Sequence, residues 1–164
     1  MMTSREWDAV SDAEKSIILK YQNEFPVKVG TLAKELGVDV KISTLTAGIS
    51  GEIRLVDNVV VIKVNRHDVK ERQRFTIAHE IAHFLLHKDK ISDGIVDDIL
   101  YRSRLSDELE QQANRLAADI IMPWALIKKS LEKINADKAE EKIEIVSKLA
   151  EVSLTAMKIR FGKI

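Results

Sequence analysis

Residues 79–83 read His79-Glu80-Ile81-Ala82-His83, two imidazoles four positions apart with a carboxylate directly after the first. On a helix, residues four apart lie one turn above each other on the same face, so both rings can converge on one metal ion. Zinc is the ion such a pair commonly holds. Glu80 would then lie where a carboxylate can take a proton from a water that the ion polarises. The chemistry implied is metal-assisted hydrolysis, with a peptide bond as the expected target. The flanks, Arg74-Phe75-Thr76-Ile77-Ala78 and Phe84-Leu85-Leu86, keep apolar residues at helical spacing without Pro or Gly, which sets the pair on a helix. Two surface histidines on an ordinary core helix would give the same string, so a further ligand has to be sought elsewhere in the chain.

A catalytic zinc takes three protein ligands and keeps a fourth position for water. His87 extends the series by another four residues, but on a straight helix it lies about 6 Å further along the axis. Three successive turns of a straight helix do not readily aim at one ion. Metalloproteases with a third His on this segment turn the chain at a Gly, whereas residues 84–86 are Phe-Leu-Leu. At the helix end His87 suits the C-terminal dipole or a contact that supports the pocket. The other candidate, Glu110, opens a segment that runs to Pro123. Ser106 suits its N-cap, Asp107 and Glu108 its first turn, and Pro123 its end. Ala113, Ala117 and Ala118 give this helix a small-residue face able to approach the first helix closely. Glu110 and Asn114 share a face, so an amide could accompany a carboxylate ligand. Taken alone, Glu110 reads first as a solvated helix carboxylate, and both candidates stand at this point.

Together the two segments resemble the ImmA/IrrE family of metallopeptidases, whose pattern is an RxxFTxAHExxH helix followed by an ExxAN-xFAAxxxMP helix. Here those stretches are Arg72 to His83 and Glu110 to Pro123, with Leu116 where an aromatic is common. The resemblance takes in Ile62-Lys63-Val64-Asn65 and the closing segment from Val152 to Arg160, and so most of the chain. It implies that His79, His83 and Glu110 are the metal ligands, that Glu80 is the general base, and that the cofactor is Zn²⁺. It also implies an α+β fold, a zincin-like minimal metallopeptidase domain.

With 164 residues, 26 basic and 26 acidic side chains and no cysteine, the chain suits one domain with its own core. Disulfides and thiolate metal sites are excluded. The balanced charge lacks the broad basic footprint of a dedicated nucleic-acid binder, so direct nucleic-acid binding is not expected. The N-terminus, Met1-Met2-Thr3-Ser4-Arg5-Glu6-Trp7-Asp8, carries charges where a signal peptide needs an apolar stretch. No run reaches the length of a membrane helix, so the expected location is the cytoplasm, with no membrane partner.

The elements that must position the motif can be read coarsely. The expectation is a single metallopeptidase domain over 1–164, mostly helical. It would have N-terminal helices in 1–37, a small sheet in 38–64, the metal-site helices in 68–123 and C-terminal helices in 124–164. Ser11 and Glu14 make a capping box for a helix through about Tyr21, closed by Pro26, and Thr31 to Leu36 is a second short helix stopped by Gly37. Val38 to Leu45, Glu52 to Val56 and Val59 to Val64 read as strands, with Asp57-Asn58 as a hairpin turn. The expected sheet is three-stranded and mainly antiparallel, lies beside the HExxH helix, and has an edge that could hold a substrate backbone by strand addition.

Residues 88–105 read as a long loop near the metal, a lid, a specificity element or a solvated connection. Tyr101 and Arg102 in it are possible oxyanion stabilisers. Val29 to Val38 and Val146 to Phe161 each resemble half of a helix-turn-helix, which serves DNA binding or plain packing. By the family resemblance, the expected substrate is a specific protein, a helix-turn-helix transcriptional repressor whose cleavage relieves repression. The alternative is a regulatory binding module, with a structural metal, that sequesters a repressor without cutting it.

Overall fold

The computed structural model describes residues 2–163; Met1 and Ile164, the ends of the expected 1–164 domain, lie outside the described residues. A short helix, α1 (Arg5–Asp8), precedes α2 (Asp12–Lys20) and α3 (Val29–Glu35). Ser11 caps α2 as its sequence suggests: its hydroxyl accepts from the Glu14 amide at 3.2 Å and donates to the Glu14 carboxylate at 2.9 Å. Gly37 follows α3 at φ 88°, the left-handed conformation that ends a helix at little cost for glycine.

Three strands come next, β1 (Val38–Ser43), β2 (Ile49–Val56) and β3 (Val59–Asn65). Asp57 and Asn58 both have positive φ, 50° and 67°, as a two-residue hairpin turn between β2 and β3 requires. The long motif helix α4 (Lys70–Leu86) packs under the sheet, and a single 3₁₀ turn (Lys88–Lys90) leads to β4 (Ile95–Asp98). The second motif helix, α5 (Asp107–Ile121), has Ser106 as its N-cap, with the hydroxyl accepting from the Leu109 amide. The chain then forms α6 (Trp124–Lys133), α7 (Ala139–Ala150) and α8 (Leu154–Arg160).

The sheet is mainly antiparallel, as expected, but it has a fourth strand and one parallel pair. It has four strands in the order β1-β3-β2-β4, and the β1 to β3 pair is parallel while β2 pairs antiparallel with both β3 and β4. The parallel pair arises because the β2–β3 hairpin turns β3 back beside β1 and leaves β2 on the outer side. The fourth strand lies within the segment read as a loop. Its inward positions hold Ile95 and Asp97, and an acidic residue facing inward breaks the alternation by which a half-buried strand is recognised.

One core, including Ile53 and Ile62 from the sheet, Ile81 from α4, Leu116 and Ile120 from α5 and Met157 from α8, joins sheet and helices. Both sequence stretches that resemble half of a helix-turn-helix pack into this body. Arg74 on α4 donates to the carbonyls of Val27, Ala150 and Glu151 and so ties the α7–α8 turn to the segment before α3. Among the described residues no helix is long and apolar enough to cross a membrane.

Candidate metal centre

His79 and His83 project from the same face of α4, and α5 crosses close beside them because its facing positions are Ala113 and Ala117, both fully buried. That approach brings Glu110, in the first turn of α5, to both rings. Glu110 Oε1 lies 2.9 Å from His79 Nε2 and 3.1 Å from His83 Nε2. The rings stand edge to face with centroids 4.7 Å apart. The structure thus brings the three expected ligands together and adds a fourth group. Asp97, from β4, places Oδ2 3.5 Å from His79 Nε2 and 3.6 Å from His83 Nε2. Potential ligand atoms of His79, His83, Asp97 and Glu110 all lie within 4.8 Å of one another, and all four residues are buried.

Outer contacts hold three of these side chains, His79, His83 and Glu110. His79 Nδ1 lies 2.8 Å from Asn114 Oδ1, an acceptor, so the ring carries its proton there and turns Nε2 inward. The amide on α5 therefore serves His79 rather than accompanying Glu110. Glu110 Oε2 accepts from the Ser103 hydroxyl. His87 is not among the converging ligands: its Nδ1 meets His83 Nδ1 at 2.9 Å and its Nε2 meets Gln112 Oε1 at 2.9 Å. It sits at the C-cap of α4, where its amide bonds the His83 carbonyl at 2.7 Å. Burial pushes its imidazole below the ordinary range, so it supports the pocket as a neutral ring.

Glu80 is fully buried, and among the described residues neither of its carboxylate oxygens has a hydrogen-bond partner. Strand β2 passes directly over it at Gly51. A Cβ there would clash with Thr76 and come within 3.2 Å of Glu80 Oε2, so only glycine lets the strand lie this low. Burial, then the charges of Asp97, Glu110 and Glu52, hold the Glu80 carboxyl well above the usual carboxylate range. Burial alone would push the His79 imidazole down, but the Asp97 and Glu110 carboxylates outweigh it and raise it to about 9. Both carboxylates titrate below their ordinary values because the two imidazoles offset the cost of burying them. The cluster is one of excess, dry negative charge, the setting in which a buried cation is stabilised.

The two oxyanion candidates part company. Arg102 turns to the surface, two-thirds exposed, and pairs with Asp98 at 3.0 Å. Tyr101 stacks on His79 with centroids 4.6 Å apart, and its hydroxyl lies 3.0 Å from Thr76 Oγ1. Sequence reasoning missed Asp97 and Ser103. The only signal for Asp97 was its place two residues after Ile95, on the inward face of a strand too short to show a pattern.

The IrrE N-terminal-like domain of the peptidase M78 family matches residues 33–161. A radiation response metalloprotease IrrE of Deinococcus radiodurans is 35% identical over 96 residues, 58% of this chain and 29% of that protein. One of the same name from Deinococcus deserti is 42% identical over 67 residues, 41% of this chain and 24% of that protein. The chain therefore spans less than a third of the curated relatives it matches. Their names imply a divalent metal. A solved Mycobacterium tuberculosis transcriptional regulator shares the fold with a TM-score of 0.58 at 15% identity, over 96% of this chain and 48% of that one. Because the family match runs across the sheet, both motif helices and the whole of α8, this chain belongs to the peptidase M78 family as an IrrE N-terminal-like domain.

Proposed function

We propose that this chain is a zinc-dependent endopeptidase in which His79, His83 and Glu110 hold the ion and Glu80 is the general base. The observation that carries this reading is the convergence of two inward-turned Nε2 atoms and the Glu110 carboxylate within 3.1 Å, one residue from a buried, unpartnered Glu80. The residues fit a zinc ion. The donor set is nitrogen and oxygen, both rings have their outer nitrogens engaged, and the buried oxygens of Asp97 lack any hydrogen-bond partner among the described residues.

Bound there, zinc supplies Lewis acidity that polarises a water and the scissile carbonyl. Glu80 accepts the water's proton on a carboxylate oxygen and passes it to the leaving amine. Its dry surroundings raise its basicity, which suits a group that must take a proton and hold it until the amine departs. Asn114 and His87 keep the two rings from turning.

The substrate class we propose is a helix-turn-helix transcriptional repressor, cut so that repression is relieved, and the cytoplasm is where the two would meet. Support comes from the paired RxxFTxAHExxH and ExxAN patterns that resemble the ImmA/IrrE metallopeptidases. The test is intact-mass analysis of a repressor encoded beside this gene, incubated with the zinc-loaded protein and with Glu80→Gln. Two fragments with wild type alone are expected. An intact repressor bound equally by both proteins would instead support sequestration by a metal-stabilised module. The full burial of all four cluster residues favours that second reading, because closed zinc sites are usually structural.

A further inference from the structure

We propose that Asp97 is a fourth protein ligand of the metal, and that β4 holds the site closed by occupying the sheet edge a substrate chain would join. This rests on the metal-centre reading above and adds its regulation. Asp97 Oδ2 faces the same two Nε2 atoms that Glu110 Oε1 meets. The side chain is fully buried, and among the described residues neither oxygen has a hydrogen-bond partner. A carboxylate so placed is stabilised by a cation. A catalytic zinc keeps one position open, and a fourth protein ligand fills it.

The strand register shows what else β4 displaces. Asp97 pairs with Gly51, the residue whose missing side chain lets β2 run over Glu80. A peptide adding antiparallel to β2 would pass over Glu80 and the histidine pair at that same place. β4 lies there instead. It is four residues long, pairs with one neighbour only, and pairs with β2 across a bulge at Ile49/Gly51. Bulges weaken a ladder and re-aim side chains. Two left-handed residues flank the segment, Gly94 at φ 78° and Tyr101 at φ 55°. Beyond it Ile99 and Leu100 are 48% and 62% exposed and line one wall of a groove of about 1140 Å³. Opening requires Asp97 to withdraw and water to enter in its place, with no covalent bond changed.

Cobalt(II) in place of zinc tests this on the whole chain, since its visible spectrum reports coordination. In the wild type, acetohydroxamate is expected to leave the spectrum unchanged. With Asp97→Ala the same addition is expected to shift it, and cobalt affinity by chelator competition should fall about tenfold or more. Asp97→Asn keeps the side-chain volume and should behave alike, which guards against a misfolded Ala variant. A wild-type spectrum that responds to hydroxamate as the variants do, or variants that keep wild-type affinity, would overturn the proposal. His79→Ala separates the two levels. Unchanged cobalt binding there removes the metal-centre reading itself, whereas loss there beside unaffected Asp97 variants removes only the closed strand.

Discussion

The imidazoles of His83 and His87 meet nitrogen to nitrogen, Nδ1 to Nδ1 at 2.9 Å. Gln112 Oε1 can only accept, so His87 Nε2 donates to it, and the neutral ring presents a lone pair at Nδ1. His83 must therefore donate from Nδ1, which leaves its Nε2 free to bind a metal. The relay Gln112–His87–His83 sets a tautomer.

The expected consequence is a loss of affinity without a loss of fold. His87→Phe should weaken zinc binding by about 10- to 100-fold in chelator competition, the usual cost of removing an outer partner of a ligand. His87→Gln, whose carbonyl can accept the same proton, should recover most of it. Equal affinities for Phe and Gln would show that the relay has no such role.

The metal-free site should be sensitive to pH. The His79 imidazole rises from 6.5 to about 9 on folding. Its contribution is therefore fully present below pH 6.5 and lost as pH rises through about 9. The loss is at most about 3 kcal/mol. Glu80 works in the same direction, because its folded value is also raised and its contribution fades as pH climbs from 4.5. Thermal melts of the chelated protein should thus fall between pH 6.5 and 9, while zinc-loaded protein, whose ligands are already deprotonated, should not follow. Parallel profiles for the two forms would contradict the assignment.

What the sequence made legible follows from the range of the interactions involved. The end of α4 near His87, the bounds of α5, the Ser11 and Ser106 caps and the Asp57-Asn58 turn are local matters, settled within a few residues. The pairing of His79 and His83 could be anticipated from helical spacing, whereas Glu110 was expected only through the family resemblance, the small-residue face of its helix merely permitting the approach. The parallel β1–β3 pair could not, since pairing partners depend on which side of β3 the hairpin leaves β2. Asp97 was hidden for a related reason. Its role comes from facing Gly51 and two histidines at long range, and Asp93-Gly94 and Asp97-Asp98 around it have the composition of a loop.

Gly51 should tolerate no side chain. A Cβ would overlap the Thr76 methyl and stand 3.1 Å from the Lys63 carbonyl, whose backbone cannot yield without breaking the β2–β3 ladder. Gly51→Ala should therefore lower the urea midpoint by the equivalent of about 1–3 kcal/mol, the cost of overpacking. It should also reduce cleavage more than zinc affinity, because the added Cβ would face Glu80 Oε2 at 3.2 Å, and none of His79, His83 or Glu110 is among its nearest contacts. Zinc affinity falling with activity in equal measure would place the damage at the ligands instead.

Far from the metal, Arg160 on α8 holds the C-terminal helices against α5. Its guanidinium lies 3.1 Å from Asp119 Oδ1, donates to the Met122 carbonyl at 3.0 Å and covers the Trp124 ring at 4.8 Å. Asp119 accepts in turn from the amide and hydroxyl of Ser4, which draws the N-terminus into the same joint. Arg160→Leu would strand the Asp119 carboxylate without a counter-charge, and stability should fall by about 3 kcal/mol or more. Adding Asp119→Asn should restore part of it, since the neutral amide keeps bonds to Ser4 and removes the orphan charge. Zinc affinity should hardly change in either variant, because Asp119 stands about 13 Å along α5 from Glu110. A double variant less stable than Arg160→Leu would mean that the carboxylate is held chiefly by Ser4, and that the arginine acts through its contacts with Met122 and Trp124.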